Sequence, residues 1–324
     1  MLSKKLLAIL LPALALGFAT ASSAQEAWPS KPIRILVPFP AGGSSDPPVR
    51  VLAAKLQESL GQTVLIENVS GGGGSIATAR LAQSPPDGYT YAMASVGTLC
   101  IVPHVQSKVG YDPLKSFSPI SLLGEYTNVL VVGAAQPYKT VSDLIKAAKD
   151  SPGTIAFGSS GNGSSNHLSA ELLASMAGVK FSHVPYRGTG PALNDVLAGR
   201  LGFMFDVTSN SLPHIQAGKL RALAVTGLAG VPQLPGVPPL AQTIAGYEVL
   251  GWIGLIAPVG TPPAVVERMN AEVEKALKLQ DVATQYAGYG FDAKSLKPDQ
   301  FAALIKKDLD KWGPIVKASG AKAD

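Results

Sequence analysis

The chain has 324 residues, 46% hydrophobic and 15% charged, with one cysteine and a net charge of +5. That length suits one large or two medium domains with a deep core, and so low a charged fraction excludes disorder. The weakly basic balance contains no run of Lys or Arg, which excludes a nucleic-acid footprint, and one cysteine excludes an intramolecular disulfide.

In chain order, Lys4 and Lys5, the apolar run Leu6 to Phe18 and the small residues Ser22-Ser23-Ala24 predict a secretory signal peptide over 1–24, cleaved near Ala24. The apolar run is short for a membrane span and contains Pro12. Cleavage removes Lys4 and Lys5 alone among charges, taking the net charge from +5 to +3. An exported chain without disulfides points to a bacterial periplasm. Cys100 is expected as a small buried apolar residue.

From Ile33 one unit occurs twice: strand, Gly/Ser-rich loop, amphipathic helix, Gly stop, strand, second Gly-rich loop. The first copy, Ile33 to Ser75, reads IRILVPF, PAGGSSD, PPVRVLAAKLQESLG, QTVLIE, NVSGGGGS. Its helix places Val49, Leu52, Ala53, Leu56 and Leu60 on one face, with Ser45 or Asp46 as cap, Pro47 in the first turn and Gly61 as stop. The strand YTYAMA then leads to a polar rim at Ser95, Gly97 and Thr98. An extended crossing is predicted over 121–133, and Thr140 with Asp143 opens a helix with a capping box that buries Val141, Leu144, Ile145 and Ala148. The second copy, Thr154 to Pro191, reads TIAFG, SSGNGSSN, HLSAELLASMAG, VKFSHV, PYRGTGP, and the strand GFMFD ends at Asp206.

This alternation, continuing to about Val225, predicts α/β layers with parallel strands. The Pro-rich stretch 231–246 reads as a surface connection back to the strand VLGWIGLIAP. Two helices close the chain, one capped at Thr261 and one following Pro298. A second crossing near 247–252 divides the mature chain into domain 1 (25–125 plus 248–324) and domain 2 (126–247).

A loop that brings backbone N–H groups to a helix start is an anion site, and two facing copies grip a small acid from both sides. In Pro40 to Asp46, Gly42 and Gly43 let the backbone turn toward a ligand, and Ser44 and Ser45 add hydroxyls; the same loop also reads as a ligand-free βα turn. Ser159 to Asn166, with two Gly and six small polar residues, exceeds the length of a plain connector. Ser70 to Ser75 and Arg187 to Pro191 either line the same cleft or pack against it, and Arg187 either pairs a carboxylate or is solvated. Asp206, at a strand's carboxyl end, either receives a donor group or caps the next turn. The four histidines show no metal-ligand spacing, and GxxxxGK[ST], GxSxG and HExxH are absent. An exported hydrolase with His167 as base to a cleft serine is an alternative that no motif signals, so no enzyme, metal or cofactor is expected.

WPSKPIRILVPFPAGGSSD, GQTVLIEN, PPDGYTYAMASVGTL, YDPLKSFSPISLL, FGSSGNGSSNHLSAELL, HVPYRGTGPALNDVLAG, MFD and LPHIQAGKLRALAVT together resemble the Bug family, periplasmic substrate-binding proteins of tripartite tricarboxylate transporters. The resemblance covers essentially the whole mature chain. It implies an α/β, two-domain periplasmic-binding-protein fold (Venus-flytrap, type II-like) with two chain crossings and a small carboxylate held between the lobes: a di- or tricarboxylate, an acidic amino acid or an aromatic acid. It further implies a monomer that delivers this ligand to a transporter with a small four-helix and a large twelve-helix membrane subunit; a carboxylate sensor for a two-component system is the alternative. The matching contacts are Phe39, Ala41, Gly42, Gly43, Ser44, Ser45 and Asp46 on one side. Opposite them stand Ser160, Gly161, Asn162, Gly163, Ser164, Ser165, Asn166 and His167, with Ser95, Thr98 and Asp206 completing the set. Two departures stand out: Pro47-Pro48 remove two N–H groups from the first helix turn, and Val102 occupies a position where Asn is usual.

Overall fold

The computed structural model describes residues 28–319, so the signal peptide predicted over 1–24 lies outside the described residues. The chain begins with β1 (Ile33–Val37), α1 (Asp46–Leu60), β2 (Val64–Asn68), α2 (Ser75–Ala82) and β3 (Thr90–Ser95). A helical turn (Gly97–Ile101) runs into α3 (Val102–Val105), and the long strand β4 (Phe117–Gly133) follows. Then come α4 (Val141–Asp150), β5 (Ala156–Ser159), α5 (Ser165–Ala177), β6 (Ser182–Pro185), α6 (Thr189–Leu197), β7 (Phe203–Val207), α7 (Thr208–Gln216) and β8 (Leu220–Val225). The return is β9 (Leu250–Pro258), α8 (Pro263–Leu277), α9 (Gln280–Gly288), β10 (Phe291–Ala293) and α10 (Pro298–Ser319).

The strands are ordered β2-β1-β3-β9-β4-β7-β5-β6, with β8 and β10 also paired to β4. Within each repeated unit the pairing is parallel: β1 with β2 and β3, and β5 with β6 and β7. At the junction it is antiparallel, because β4 leaves the first lobe in the direction opposite to that in which β9 returns. The expectation of parallel strands therefore holds within each repeated unit and fails inside each lobe where β4, β8, β9 and β10 pair with it or with one another.

β4 is the part shared by both lobes. Its 17 residues span about 55 Å at strand rise. Thr127 is its last partner with β9, opposite Leu250, and Asn128 its first with β7, opposite Val207. Thr226 ties the two crossings together: its N–H donates to the Asn128 carbonyl (2.9 Å) and its carbonyl accepts from Val249 N (3.0 Å).

Local signals explain most elements. α1 buries Val49, Leu52, Ala53 and Leu56 and stops at Gly61, whose φ of 67° is left-handed. The capping box of α4 forms, with Asp143 N donating to Thr140 Oγ1 (3.1 Å) and Thr140 N to Asp143 Oδ2 (2.9 Å). Two predicted caps fail. Ser45 sits at the N-cap of α1 without a capping bond, because the positions whose N–H it needs are Pro47 and Pro48. Thr261 donates its hydroxyl to the Pro258 carbonyl (2.8 Å), and α8 opens after Pro262 instead. Three helices, not two, follow β9: α9 has only Val282 and Tyr286 as buried residues, too few to mark a stripe in the sequence.

Of three buried hydrophobic clusters among the described residues, one runs through both lobes. It links Leu36 and Ala92 of the first sheet to Phe157, Leu168 and Phe203 of the second by way of Trp252, Phe301 and Trp312. α10 packs on the 97–101 turn and on α5, one from each lobe. Cys100 is fully buried there, its Sγ 3.5 Å from the Ile305 carbonyl oxygen, and burial raises its thiol pKa. No helix of the described residues is long and apolar enough to cross a membrane.

Candidate functional site

A cleft of about 420 Å³ opens where the carboxyl ends of β1, β3, β5, β6 and β7 converge. One wall is the β1–α1 loop, from Phe39 through Ala41, Gly42, Gly43 and Ser44 to Ser45, together with Ser95 and Gly97. The opposite wall is Ser160 and the first turn of α5 (Ser164, Ser165, Asn166), continued by Arg187 to Pro191 at the start of α6. Tyr126 of β4 and Val207 of β7 lie between, and Asn210 and His214 come from α7. No Asp or Glu is among these lining residues, and Arg187 is their one permanent cation.

The first loop folds back on itself. Asp46 is 2% exposed; its Oδ2 accepts from Gly42 N (2.9 Å) and Arg50 Nε (2.8 Å), its Oδ1 from Asn68 Nδ2 (2.9 Å). Burial opposes its charge, but these bonds and the Arg50 charge outweigh it and hold the carboxyl below its ordinary value. Asp46 is thus a brace for the loop and does not line the cleft. The amides of Gly42, Gly43 and Asp46 are all committed inside the loop (Gly43 N to Pro40 O 3.1 Å, Asp46 N to Gly43 O 3.0 Å), and Pro47 and Pro48 have none. This leaves the N–H groups of Ala41, Ser44 and Ser45, plus two serine hydroxyls, without an acceptor among the described residues. The donor set at α1 is therefore narrower than the whole glycine loop.

α5 begins at Ser165, earlier than the sequence pattern suggested, with Ser164 as N-cap accepting from His167 N (3.3 Å). The cap uses a lone pair, so the Ser164 proton remains available to the cleft, and the first-turn amides of Ser165 and Asn166 meet no acceptor among the described residues. Ser95 is similar: its Oγ accepts from Thr98 N (3.2 Å), which leaves its proton free, while Thr98 closes the turn from within. Tyr126 OH and Ser165 Oγ share one hydrogen bond (3.1 Å), so one of the two protons is available. Burial raises the Tyr126 pKa and keeps it a neutral donor. Ser160 donates to Asn166 Oδ1 (2.7 Å), and Asn166 Nδ2 donates to the Phe205 carbonyl (2.9 Å), so the Ser160 proton is spent in shaping the wall.

Gly161, Asn162, Gly163 and His167 are not cleft-lining residues. They meet the first lobe and the interior instead. A Cβ on Gly73 would lie 2.4 Å from the Asn162 carbonyl oxygen, and one on Gly163 would lie 2.8 Å from Val102 Cγ2. Of the four-glycine run Gly71–Gly74, Gly73 thus packs against the second lobe, and Val102 fills that contact. His167 is 3% exposed, with Nδ1 accepting from Gly163 N (3.1 Å) and Nε2 3.6 Å from Glu171 Oε1. Neither ring nitrogen meets a cleft serine, which disfavours the hydrolase reading. His183 stacks on His167, and its Nε2 meets Ser159 Oγ at 2.6 Å.

Asp206 is fully buried behind the wall, accepting from Ser211 Oγ (2.8 Å) and Asn210 Nδ2 (3.3 Å). Burial pushes its pKa up to about 7 against these bonds. It reaches the cleft only through Asn210, which also donates to Thr189 Oγ1 (3.0 Å). Sequence reasoning missed Tyr126, Asn194, Asn210 and His214. Tyr126 alone left a signal, as part of the polar stretch Glu125-Tyr126-Thr127-Asn128 that interrupts the apolar crossing strand.

Against known proteins, the model of the Tripartite tricarboxylate transporter family receptor matches residues 49–321. The chain is 34% identical over 310 residues to Protein BugT of Bordetella pertussis, covering 94% of each chain. It superposes on R. palustris Rpa4515 with adipate at a TM-score of 0.86 and 33% identity, covering 91% of this chain and 99% of that one. With MatC from Rhodopseudomonas palustris with bound malate the TM-score is 0.83 and the identity 31%, over 89% of this chain and 100% of the other. A cleft between two α/β lobes, with its acids withdrawn and its hydroxyls turned inward, agrees with these likenesses: the chain belongs to the tripartite tricarboxylate transporter receptor family, whose members include the Bug proteins.

Proposed function

We propose that this protein is an exported, monomeric receptor that captures a small carboxylate between its lobes and delivers it to a tripartite tricarboxylate-type membrane transporter. The transporter partners are a small four-helix and a large twelve-helix subunit, and the site of capture is the periplasm after removal of 1–24. The lobes divide as 25–125 with 248–324 and 126–247, so the hinge lies at Tyr126 to Asn128 and the return strand beside it.

The observation that carries this reading is the cleft wall itself: no lining Asp or Glu, and convergent donors from Ser44, Ser45, Ser95, Ser164 and the open first turn of α5. A carboxylate there is met by fixed dipoles at a helix start without a desolvated cationic partner. Micromolar binding corresponds to about 8 kcal/mol, and several charge-assisted hydrogen bonds of about 1.5–3 kcal/mol each are of the right size. Ligand that touches both walls favours the closed form by its extra contacts there. The adipate and malate bound by the two Rhodopseudomonas relatives support the same ligand class.

A thermal-shift screen over small organic acids tests it. An acid at a hundredfold excess over Kd adds about 2.7 kcal/mol of stability and stands clear of the background. If only neutral or cationic solutes raise Tm, the reading is wrong.

A further inference from the structure

The cleft is chemically lopsided. The lobes meet at two places along it, and the two places differ in charge. At one, a Cβ on Gly97 would lie 3.3 Å from the Gly163 carbonyl oxygen and 3.8 Å from Ser164 Cα, so Ser95 and Ser164, both hydroxyl donors, face each other there. At the other, Gly188 approaches Pro40, whose Cγ lies 3.8 Å from where a Gly188 Cβ would be, and the adjoining residue is Arg187. Arg187 lines the cleft and makes no ion pair or hydrogen bond among the described residues. Asp195 of α6 is engaged elsewhere, accepting from Tyr186 OH (2.6 Å) and Arg200 Nη1 (2.6 Å).

We propose that Arg187 receives a second anionic group of the bound acid, so that the cleft selects ligands carrying two carboxylates over ligands carrying one. This rests on the carboxylate reading above and adds to it the residue that counts charge. A guanidinium presents paired N–H donors in a planar fork that fits one carboxylate at two points, and that charge-assisted pair is stronger than a neutral contact. With no acid in the wall to neutralise it, its field acts on the ligand alone. The first carboxylate is held by hydroxyls and amides, which do not distinguish a diacid from a monoacid; discrimination falls to the far end of the molecule.

The test is isothermal titration of the full mature chain with straight-chain α,ω-diacids from succinate to pimelate and with the monomethyl ester of each. In the wild type the best diacid binds at least tenfold more tightly than its ester. Arg187→Gln brings that ratio below threefold by weakening the diacid while the ester keeps its affinity, and Arg187→Lys, which retains charge without the fork, falls between. Arg187 is exposed, so the ligand-free Tm stays at the wild-type value and folding is not in question. A ratio that survives Arg187→Gln, or diacid and ester weakening in parallel, overturns the assignment while leaving carboxylate binding intact. If the wild type binds neither diacid nor ester, the selection for two carboxylates is overturned, and the thermal-shift screen decides the carboxylate reading separately.

Discussion

The imidazoles of His167 and His183 lie nearly parallel with ring centroids 3.9 Å apart, and each holds a different point of one loop. Gly163 N donates to His167 Nδ1, and Ser159 Oγ lies 2.6 Å from His183 Nε2. The loop between these points delivers Ser160 and Ser164 to the cleft, so its shape depends on these two ring contacts. Burial, then the neighbouring His167, push the His183 pKa down to about 3 from an ordinary 6.5. The unfolded chain therefore binds this proton first as pH falls. The stabilisation is present above pH 6.5 and is lost progressively toward pH 3. His183→Phe is expected to flatten the urea midpoint between pH 6.5 and 4 relative to wild type; an unchanged slope refutes the role.

Asp206 works in the opposite sense. Its folded pKa of about 7 lies above the ordinary 3.8, so the native state holds a proton that the unfolded state releases. That contribution is complete below pH 3.8 and is lost as pH rises through 7. Over pH 3.8 to 6.5 the two groups offset one another. Asp206→Asn keeps the size and the bond to Ser211 but removes the titration, and the variant's stability should then rise with pH more steeply than the wild type's. Parallel wild-type and variant curves in urea titrations at pH 4, 5, 6 and 7 count against this.

Ser45 and Ser164 separate stability from binding. Ser164 caps α5 and Ser45 caps nothing. Ser164→Ala is expected to cost about 1 kcal/mol of stability as well as tenfold or more in affinity for the bound acid. Ser45→Ala should lower affinity to a similar degree with Tm unmoved. Calorimetric binding and melting of both variants decide it, and unaltered binding in both removes these loops from the site.

Gly73 and Gly61 make a matched pair, with φ of 64° and 67°. Alanine is strained at either, by about 1–2 kcal/mol. At Gly61 nothing lies within 4 Å of the new Cβ, whereas at Gly73 the Asn162 carbonyl is 2.4 Å away in the other lobe. Gly73→Ala should therefore prop the lobes apart, weakening ligand at least tenfold and enlarging the ligand-bound radius of gyration by X-ray scattering, while Gly61→Ala lowers stability alone. Equal affinities in the two variants would show that the lobe contact plays no part.

Much of this was readable from the residues. The repeated strand-loop-helix unit marked both walls of the cleft, the apolar stretch 121–133 marked β4, and Thr140 with Asp143 marked a cap that forms as written. The misses share a cause. Whether Gly42 and Gly43 offer their amides outward depends on Asp46 and Pro40, which claim them, and that is a matter of side-chain direction that spacing does not encode. Asn210 reaches the wall only because the buried Asp206 holds it there, and Tyr126 only because β4 happens to pass under α5. The stretch Ser70 to Ser75 read as either lining the cleft or packing against it; packing is what Gly73 does, and its partner, the Asn162 carbonyl, lies far downstream, which no local pattern announces.

The cluster joining Trp252, Phe301 and Trp312 to Phe157 and Leu168 has a thermodynamic corollary. Although a second buried cluster lies almost wholly in the first lobe and a third within the second, melting either lobe would strip this shared aromatic surface from the other. Heat should accordingly dismantle the whole chain in a single endotherm, with calorimetric and van 't Hoff enthalpies in agreement.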